Sequence, residues 1–132
     1  MSTLVMVIDD SPTVRKILEV ALRREGMEVV SYSDGIEAFR AVTTRPGDRL
    51  PDLVFLDIEL PRMNGFEIAQ HLRSKPQWDQ TAIVMLSRRD GVIDRIKARF
   101  AGTQAYLTKP FKTQTILETV QNCVADGKGR HE

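Results

Sequence analysis

The chain is predicted to be an α/β protein: a five-stranded, doubly wound parallel sheet with five helices. Two observations predict it. Short, mainly apolar runs alternate with stretches of helical periodicity, five of each, the order of a parallel sheet whose strands are joined by helices. The runs from Leu4 to Ile8 and from Leu53 to Leu56 lack the polar alternate positions of a half-exposed strand, as expected of strands covered on both faces. A length of 132 residues, 42% of them apolar and 28% charged, suits one globular core.

The elements follow in order. Leu4 to Ile8 is the first strand. Ser11 is placed to cap the next helix, with Pro12 at its first position. Val14, Ile17, Leu18, Ala21 and Leu22 form that helix's apolar stripe, and Gly26 stops it. Met27 to Tyr32 is the second strand. Asp34 followed by Glu37 has the spacing of a capping box, opening a helix that runs to about Val42. Thr43 to Asp52 carries two prolines and a glycine and reads as a loop. Leu53 to Leu56 is the third strand. A helix starts at Asn64, turns Ile68, Ala69 and Leu72 inward, and ends at Pro76. Ala82 to Leu86 is the fourth strand. Ile93, Ile96 and Phe100 are expected to line a fourth helix ended by Gly102. Ala105 to Thr108 is a short fifth strand. Thr113 opens a last helix with Ile116, Leu117, Val120 and Val124 inside. The expected organisation is one domain over residues 1–126 and a polar, disordered tail over 127–132.

Composition excludes several classes. A formal net charge of +1 points to neither nucleic acid nor membrane. No apolar run approaches the ~20 residues of a membrane helix, and the N-terminus shows no secretory signal. Cys123 is the single cysteine, so an internal disulfide and a cysteine metal cluster are both ruled out. It falls on the last helix's apolar stripe and reads as core. A cytoplasmic protein is the simplest expectation.

In an open parallel sheet, ligands bind outside the carboxyl ends of the strands. The first strand ends in Asp9 and Asp10, the third in Asp57, the fourth in Ser87, the fifth in Thr108 and Lys109. Each alone also reads as a turn residue, a cap or a solvated charge. Together they bring three carboxylates, a hydroxyl and an ammonium to one crevice. Packed carboxylates repel unless a cation joins them. A hard cation such as magnesium is held by one or two carboxylates, waters and phosphate oxygens. A carboxylate nucleophile beside such an ion, with a lysine and a serine to hold phosphoryl oxygens, is a set suited to phosphoryl transfer.

The sequence resembles the receiver domain of bacterial two-component response regulators, from about Leu4 to Val124. The resemblance rests on Val7-Ile8-Asp9-Asp10-Ser11, Leu53-Val54-Phe55-Leu56-Asp57-Ile58, Pro61-Arg62-Met63-Asn64-Gly65, Met85-Leu86-Ser87 and Tyr106-Leu107-Thr108-Lys109-Pro110-Phe111. It implies a flavodoxin-like sheet of order 2-1-3-4-5. It implies that Asp57 is the phosphoacceptor and that Asp10 binds Mg2+ directly, with Asp9 acting mainly through a bound water. The backbone carbonyl of Glu59 would be a further ligand. Ser87 and Lys109 would hold the phosphoryl oxygens, Lys109-Pro110 would be a cis peptide, and Tyr106 would be an aromatic switch. A half-buried strand tyrosine is the plainer reading of Tyr106. Glu59 and Arg89, each two positions beyond a pocket residue, would sit at the pocket mouth and pair there, hindering the attacking water.

The implied role is that of a signalling phosphoacceptor which catalyses only its own phosphorylation and dephosphorylation. A histidine kinase or phosphotransfer protein would supply the phosphoryl group. A downstream effector protein would read the fourth helix, fifth strand and fifth helix, with the chain a monomer or an activation-dependent dimer. Arg88, Arg89, Arg95, Lys97, Arg99, Lys109 and Lys112 make that stretch basic against Asp90 and Asp94. No helix-turn-helix follows the match, which favours a stand-alone receiver without direct nucleic-acid contact. The segment from Ala101 to Leu107 resembles receivers linked to twitching motility. Haloacid dehalogenase-type phosphohydrolases also form aspartyl phosphates. Their nucleophile follows the first strand and has an Asp two residues on, whereas Asp57 follows the third and has Glu59. His71 reads as a surface histidine.

Overall fold

The structure, a computed structural model, describes residues 2–43, 49–89 and 91–129. The strands are β1 (Leu4–Ile8), β2 (Glu28–Tyr32), β3 (Leu53–Asp57), β4 (Ala82–Ser87) and β5 (Ala105–Thr108). The helices are α1 (Pro12–Arg24), α2 (Gly35–Thr43), α3 (Gly65–Arg73), α4 (Val92–Phe100) and α5 (Thr113–Gly129), and a 3-10 turn spans Pro76–Trp78. The strands form one sheet in the order β2-β1-β3-β4-β5, every pair parallel. This is the expected doubly wound architecture, and the same carboxyl edge of every strand faces one end of the molecule.

Strand residues point alternately to opposite faces, so each apolar run feeds two cores. Met6, Ile8, Val54, Leu56, Ile83 and Met85 pack against Ile68, Leu72, Trp78 and Ala98. Val5, Val7, Leu53, Phe55, Val84 and Leu86 pack against Leu18, Leu22, Ile116, Val120 and Cys123. β3 and β4 are buried at every position, which is why neither carries a polar residue before its last. Cys123 is buried as a small apolar residue.

Local chemistry sets the helix ends. The Ser11 hydroxyl accepts the amide of Val14 at 3.2 Å, with Pro12 next in line. Asn64 and Glu67 make a full capping box at α3. At α2 only half of the expected box forms: Asp34 accepts the Glu37 amide at 2.7 Å, while the Glu37 carboxylate takes the Ser33 hydroxyl. Gly26 and Gly102 follow α1 and α4 with φ of +79° and +86°, a left-handed geometry that side chains with a Cβ resist.

Three expectations need correction. Ile17 is 46% exposed rather than inward, because the α1 core contact centres on Leu18, Ala21 and Leu22. On α4, Ile93, Ile96 and Phe100 face solvent, and Ala98 and Ala101 are the buried residues. Small alanines let the helix lie close to the sheet, so the bulky stripe is left outside. Third, α5 runs on to Gly129, three residues into the segment 127–132 expected as a disordered tail. No proline stops it there, and a glycine costs a helix only about 1 kcal/mol. Residues 130–132 of that tail lie outside the described residues, as do 44–48 of the expected loop and Asp90. Among the described residues, no helix is long and apolar enough to cross a membrane.

Candidate functional site

The carboxyl edge of the sheet gathers the predicted residues. Asp9 leaves β1 fully buried, and its Oδ1 accepts the Ser11 amide at 2.9 Å. Asp10, next along, is exposed. Asp57 ends β3 with 4% exposure, and its Oδ1 accepts the Glu59 amide at 3.0 Å. One carboxylate oxygen from each of Asp9, Asp10 and Asp57 lies within 4.8 Å of the others. This all-oxygen, partly open set fits a hard divalent cation.

Lys109, the residue after β5, reaches into the set. Its Nζ lies 2.7 Å from Asp9 Oδ2 and 3.3 Å from Asp57 Oδ2. The peptide that follows, Lys109-Pro110, is cis, and the Lys109 amide donates to the Ser87 carbonyl at 2.7 Å. Ser87 ends β4, fully buried, with its hydroxyl oxygen accepting the Arg89 amide at 2.9 Å. One ammonium thus serves two carboxylates, and the balance is unfavourable for charge on Asp57. Burial and the neighbouring Asp9 push the Asp57 carboxyl up to about 6, against the opposing pull of the Glu59 amide and Lys109.

At the mouth, Arg89 Nε lies 3.7 Å from Glu59 Oε1 and 3.4 Å from Asp94 Oδ2. Glu59 and Arg89 are each about half exposed, so their attraction is weak. The Tyr106 hydroxyl donates to the Arg89 carbonyl at 2.5 Å, while its ring packs partly buried against the core. A chain of bonds therefore runs from the Ser87 hydroxyl through the Arg89 backbone to Tyr106.

A family model, the response regulator receiver domain, matches residues 5–121. The chain belongs to the response regulator receiver family. Protein PilG of Pseudomonas aeruginosa is 35% identical over 117 residues, covering 89% of this chain and 84% of PilG. The transcriptional regulatory protein KdpE of Mycobacterium tuberculosis is 36% identical over 122 residues, 92% of this chain but 51% of KdpE. The receiver thus spans about half the length of KdpE. The structure of the Vibrio cholerae chemotaxis protein CheY4 superposes with a TM-score of 0.84 at 28% identity, covering 93% of this chain and 99% of that one. This receiver is a phosphoacceptor switch of a two-component system.

The receiver's site also holds residues that the sequence does not single out. In the sequence Gly65 stands out only as the last residue of Pro61-Arg62-Met63-Asn64-Gly65. A Cβ there would meet the Asp57 carbonyl at 2.5 Å and the Ile58 Cα at 2.8 Å, so α3 starts directly against the backbone carrying Asp57. Arg15 on α1 donates to the Asp9 carbonyl at 2.6 Å, and its one-turn offset from Ser11 was the available signal. Asp94 competes with Glu59 for Arg89, an i+5 relation visible only once the loop before α4 is folded.

Proposed function

We propose that Asp57 is the residue phosphorylated, with Mg2+ held by Asp9, Asp10, Asp57 and the Glu59 backbone carbonyl. The observation that carries this reading is the Lys109 ammonium bonded to both Asp9 and Asp57 beside a buried Ser87. An Asp57 carboxylate oxygen attacks the donor phosphorus, the bond to the donor's leaving group breaks, and an acyl phosphate forms. Mg2+, when bound, neutralises charge on the phosphoryl oxygens. Lys109 gives up its contact with Asp57 for a phosphoryl oxygen, and the Ser87 hydroxyl donates to another. Tyr106, tied to the loop after Ser87, carries the change to the face formed by α4, β5 and α5. The chain's own catalysis is confined to forming and hydrolysing this phosphoryl group. Its phosphoryl source is a histidine kinase or phosphotransfer protein, and its output is a protein partner. The likeness to a chemotaxis receiver supports output through protein contact rather than through nucleic acid. The place of action is the cytoplasm.

Intact mass after incubation with acetyl phosphate tests the reading. A gain of one phosphoryl group that needs Mg2+ and is absent in Asp57→Asn is expected. A wild type that gains nothing, or an Asp57→Asn variant that gains as much, overturns it.

A further inference from the structure

Among the described residues, Arg62 is the one non-glycine with positive φ, at +68°. It lies between β3 and α3, and the Met63 amide donates across it to the Pro61 carbonyl at 2.8 Å. A three-residue turn with positive φ at its centre is the rare, strained form of the γ-turn, and a residue with a Cβ resists that geometry. Such a conformation persists only where its surroundings over-determine it. Two restraints lie within the segment. Leu60, Met63 and Phe66 pack against the core, and the Gly65 amide is bonded to the Ile58 carbonyl at 2.9 Å. The third comes from another loop. Arg62 Nη2 donates to Oδ2 of Asp34, the residue before α2, at 2.5 Å.

Asp34 is built as an anchor. Its side chain is 14% exposed, against 56% for Arg62, and its Oδ1 is fixed by the Glu37 amide. That amide and Arg62 hold the Asp34 carboxyl below its ordinary value, so it is ionised at neutral pH. β2 and β3 lie on either side of β1 in the sheet. The pair therefore joins the two loops that flank the strand leading into Asp9 and Asp10.

We infer that Arg62 is a positioning residue: its ion pair with Asp34 clamps the strained turn after β3 and so holds the Glu59 backbone against Asp57. The inference deepens the proposed function, in which the Glu59 carbonyl is a metal ligand. The Glu59 amide reaches Asp57 Oδ1 at 3.0 Å, and only Leu60 and Pro61 separate Glu59 from Arg62. The Gly65–Ile58 bond ties the two ends of the segment together. A change of φ at Arg62 must then be absorbed by the dihedrals between those ends, including those of Glu59. Arg62 is partly exposed, so the clamp is worth a several-fold effect and not an all-or-none one.

Amide exchange followed by NMR in the metal-free protein tests the clamp. Asp34→Ser keeps a capping oxygen for α2 and loses the carboxylate. Arg62→Ala loses the guanidinium and keeps the Cβ. Each is expected to speed exchange of the Glu59 amide at least about three-fold, with the Val84 and Met85 amides of β4 at the wild-type rate. Combining the two is expected to do no more than either alone, since they remove one interaction. Arg62→Gly is expected to stay within about two-fold of the wild type, because glycine takes positive φ without strain and needs no clamp. Unchanged Glu59 exchange in Asp34→Ser overturns the inference. So does an equal rise at Glu59 and in β4, which makes the pair a general stabiliser. Exchange in Arg62→Gly as fast as in Arg62→Ala also overturns it, because strain then plays no part. Calorimetric titration with magnesium chloride separates the clamp from the parent reading. Mg2+ affinity is expected to fall by at least about three-fold in Asp34→Ser and Arg62→Ala but not in Arg62→Gly. A wild type that binds no Mg2+ sinks the ion site alone, because the exchange readout is metal-free. Mg2+ affinity that ignores a faster Glu59 exchange removes Glu59 from the ion's ligands and leaves the clamp standing.

Discussion

Asp57 carries a conflict that its chemistry needs. As the proposed phosphoacceptor it would have to be ionised to attack phosphorus, yet burial and Asp9 push its carboxyl up to about 6 from the ordinary 3.8. The sign of the linkage follows. Well below pH 4 the carboxyl is protonated in both folded and unfolded chains, and the native preference for the proton stabilises the fold in full. As pH rises through about 6, the folded chain must give up a proton that the unfolded chain has already lost, so that stability is lost. Asp57→Asn removes the conflict. The variant is expected to be more stable than the wild type at pH 7, by of order 1–3 kcal/mol, with the gap closing toward pH 4. Urea unfolding at the two pH values checks it, and a gap that is absent at pH 7 or constant between them contradicts it. Saturating Mg2+ in the wild type should recover much of the same stability at pH 7.

Arg89 acts at the same scale with smaller effect. Its side chain is shared by Glu59 at 3.7 Å and Asp94 at 3.4 Å, at the proposed mouth of the pocket. An exposed pair is worth about 0–1 kcal/mol, so Arg89→Ala is expected to speed dephosphorylation by no more than about five-fold. Loss of the phosphorylated species followed by mass gives the rate. An unchanged half-life would mean that the Glu59–Arg89 pair does not hinder water.

At the scale of elements, α3 fixes the loop after β3 through Gly65, whose amide donates to the Ile58 carbonyl at 2.9 Å. Gly65→Ala forces a methyl group against backbone at 2.5 Å and 2.8 Å, where no side chain can swing aside. The expected cost is roughly 1–3 kcal/mol in urea unfolding, with slower phosphorylation by acetyl phosphate because the Glu59 amide that holds Asp57 moves with that loop. Full stability and full rate in the variant would show that the close approach is not needed. Position 65 also shows what a sequence conveys and what it does not. β1, β3 and β4 are legible because their apolar runs have few other uses, and the cluster of Asp9, Asp10, Asp57, Ser87 and Lys109 is legible because strand ends in a parallel sheet share one edge. The need for glycine at 65 depends on how near α3 comes to β3, a distance that no local pattern encodes. α4 failed for a related reason. Its periodicity marks an apolar stripe but not which way the stripe faces, and the side that turns inward carries Ala98 and Ala101 rather than Ile93 and Phe100. At α2, the Asp34–Glu37 spacing foretold one capping bond, while Ser33 took the other partner.

Across the whole molecule, a charge change at one strand end must reach a surface on another element. A conformational signal needs a physical connection that differs between two states. Here the Ser87 hydroxyl accepts the Arg89 amide, and the Arg89 carbonyl accepts the Tyr106 hydroxyl. The loop after β4 therefore sits between Ser87, the proposed phosphoryl-binding serine, and a ring on β5, which in turn stacks under Arg95 of α4. If Ser87 closes on a phosphoryl oxygen, the Arg89 backbone is the part that moves or is held. Tyr106→Phe keeps the ring, its packing and its contact with Arg95, and deletes only the bond to Arg89. It is expected to leave Mg2+-dependent phosphorylation within about three-fold of wild type, since the deleted group touches none of Asp57, Ser87 and Lys109. It is also expected to shrink the phosphorylation-induced change in amide exchange over residues 91–100, with exchange in the wild type as the reference. A variant whose α4 amides respond to phosphorylation as fully as those of the wild type would show that the hydroxyl does not carry the signal. The steric presence of the ring, or the direct pull of Lys109 on β5, would then be the route by which Asp57 reaches α4.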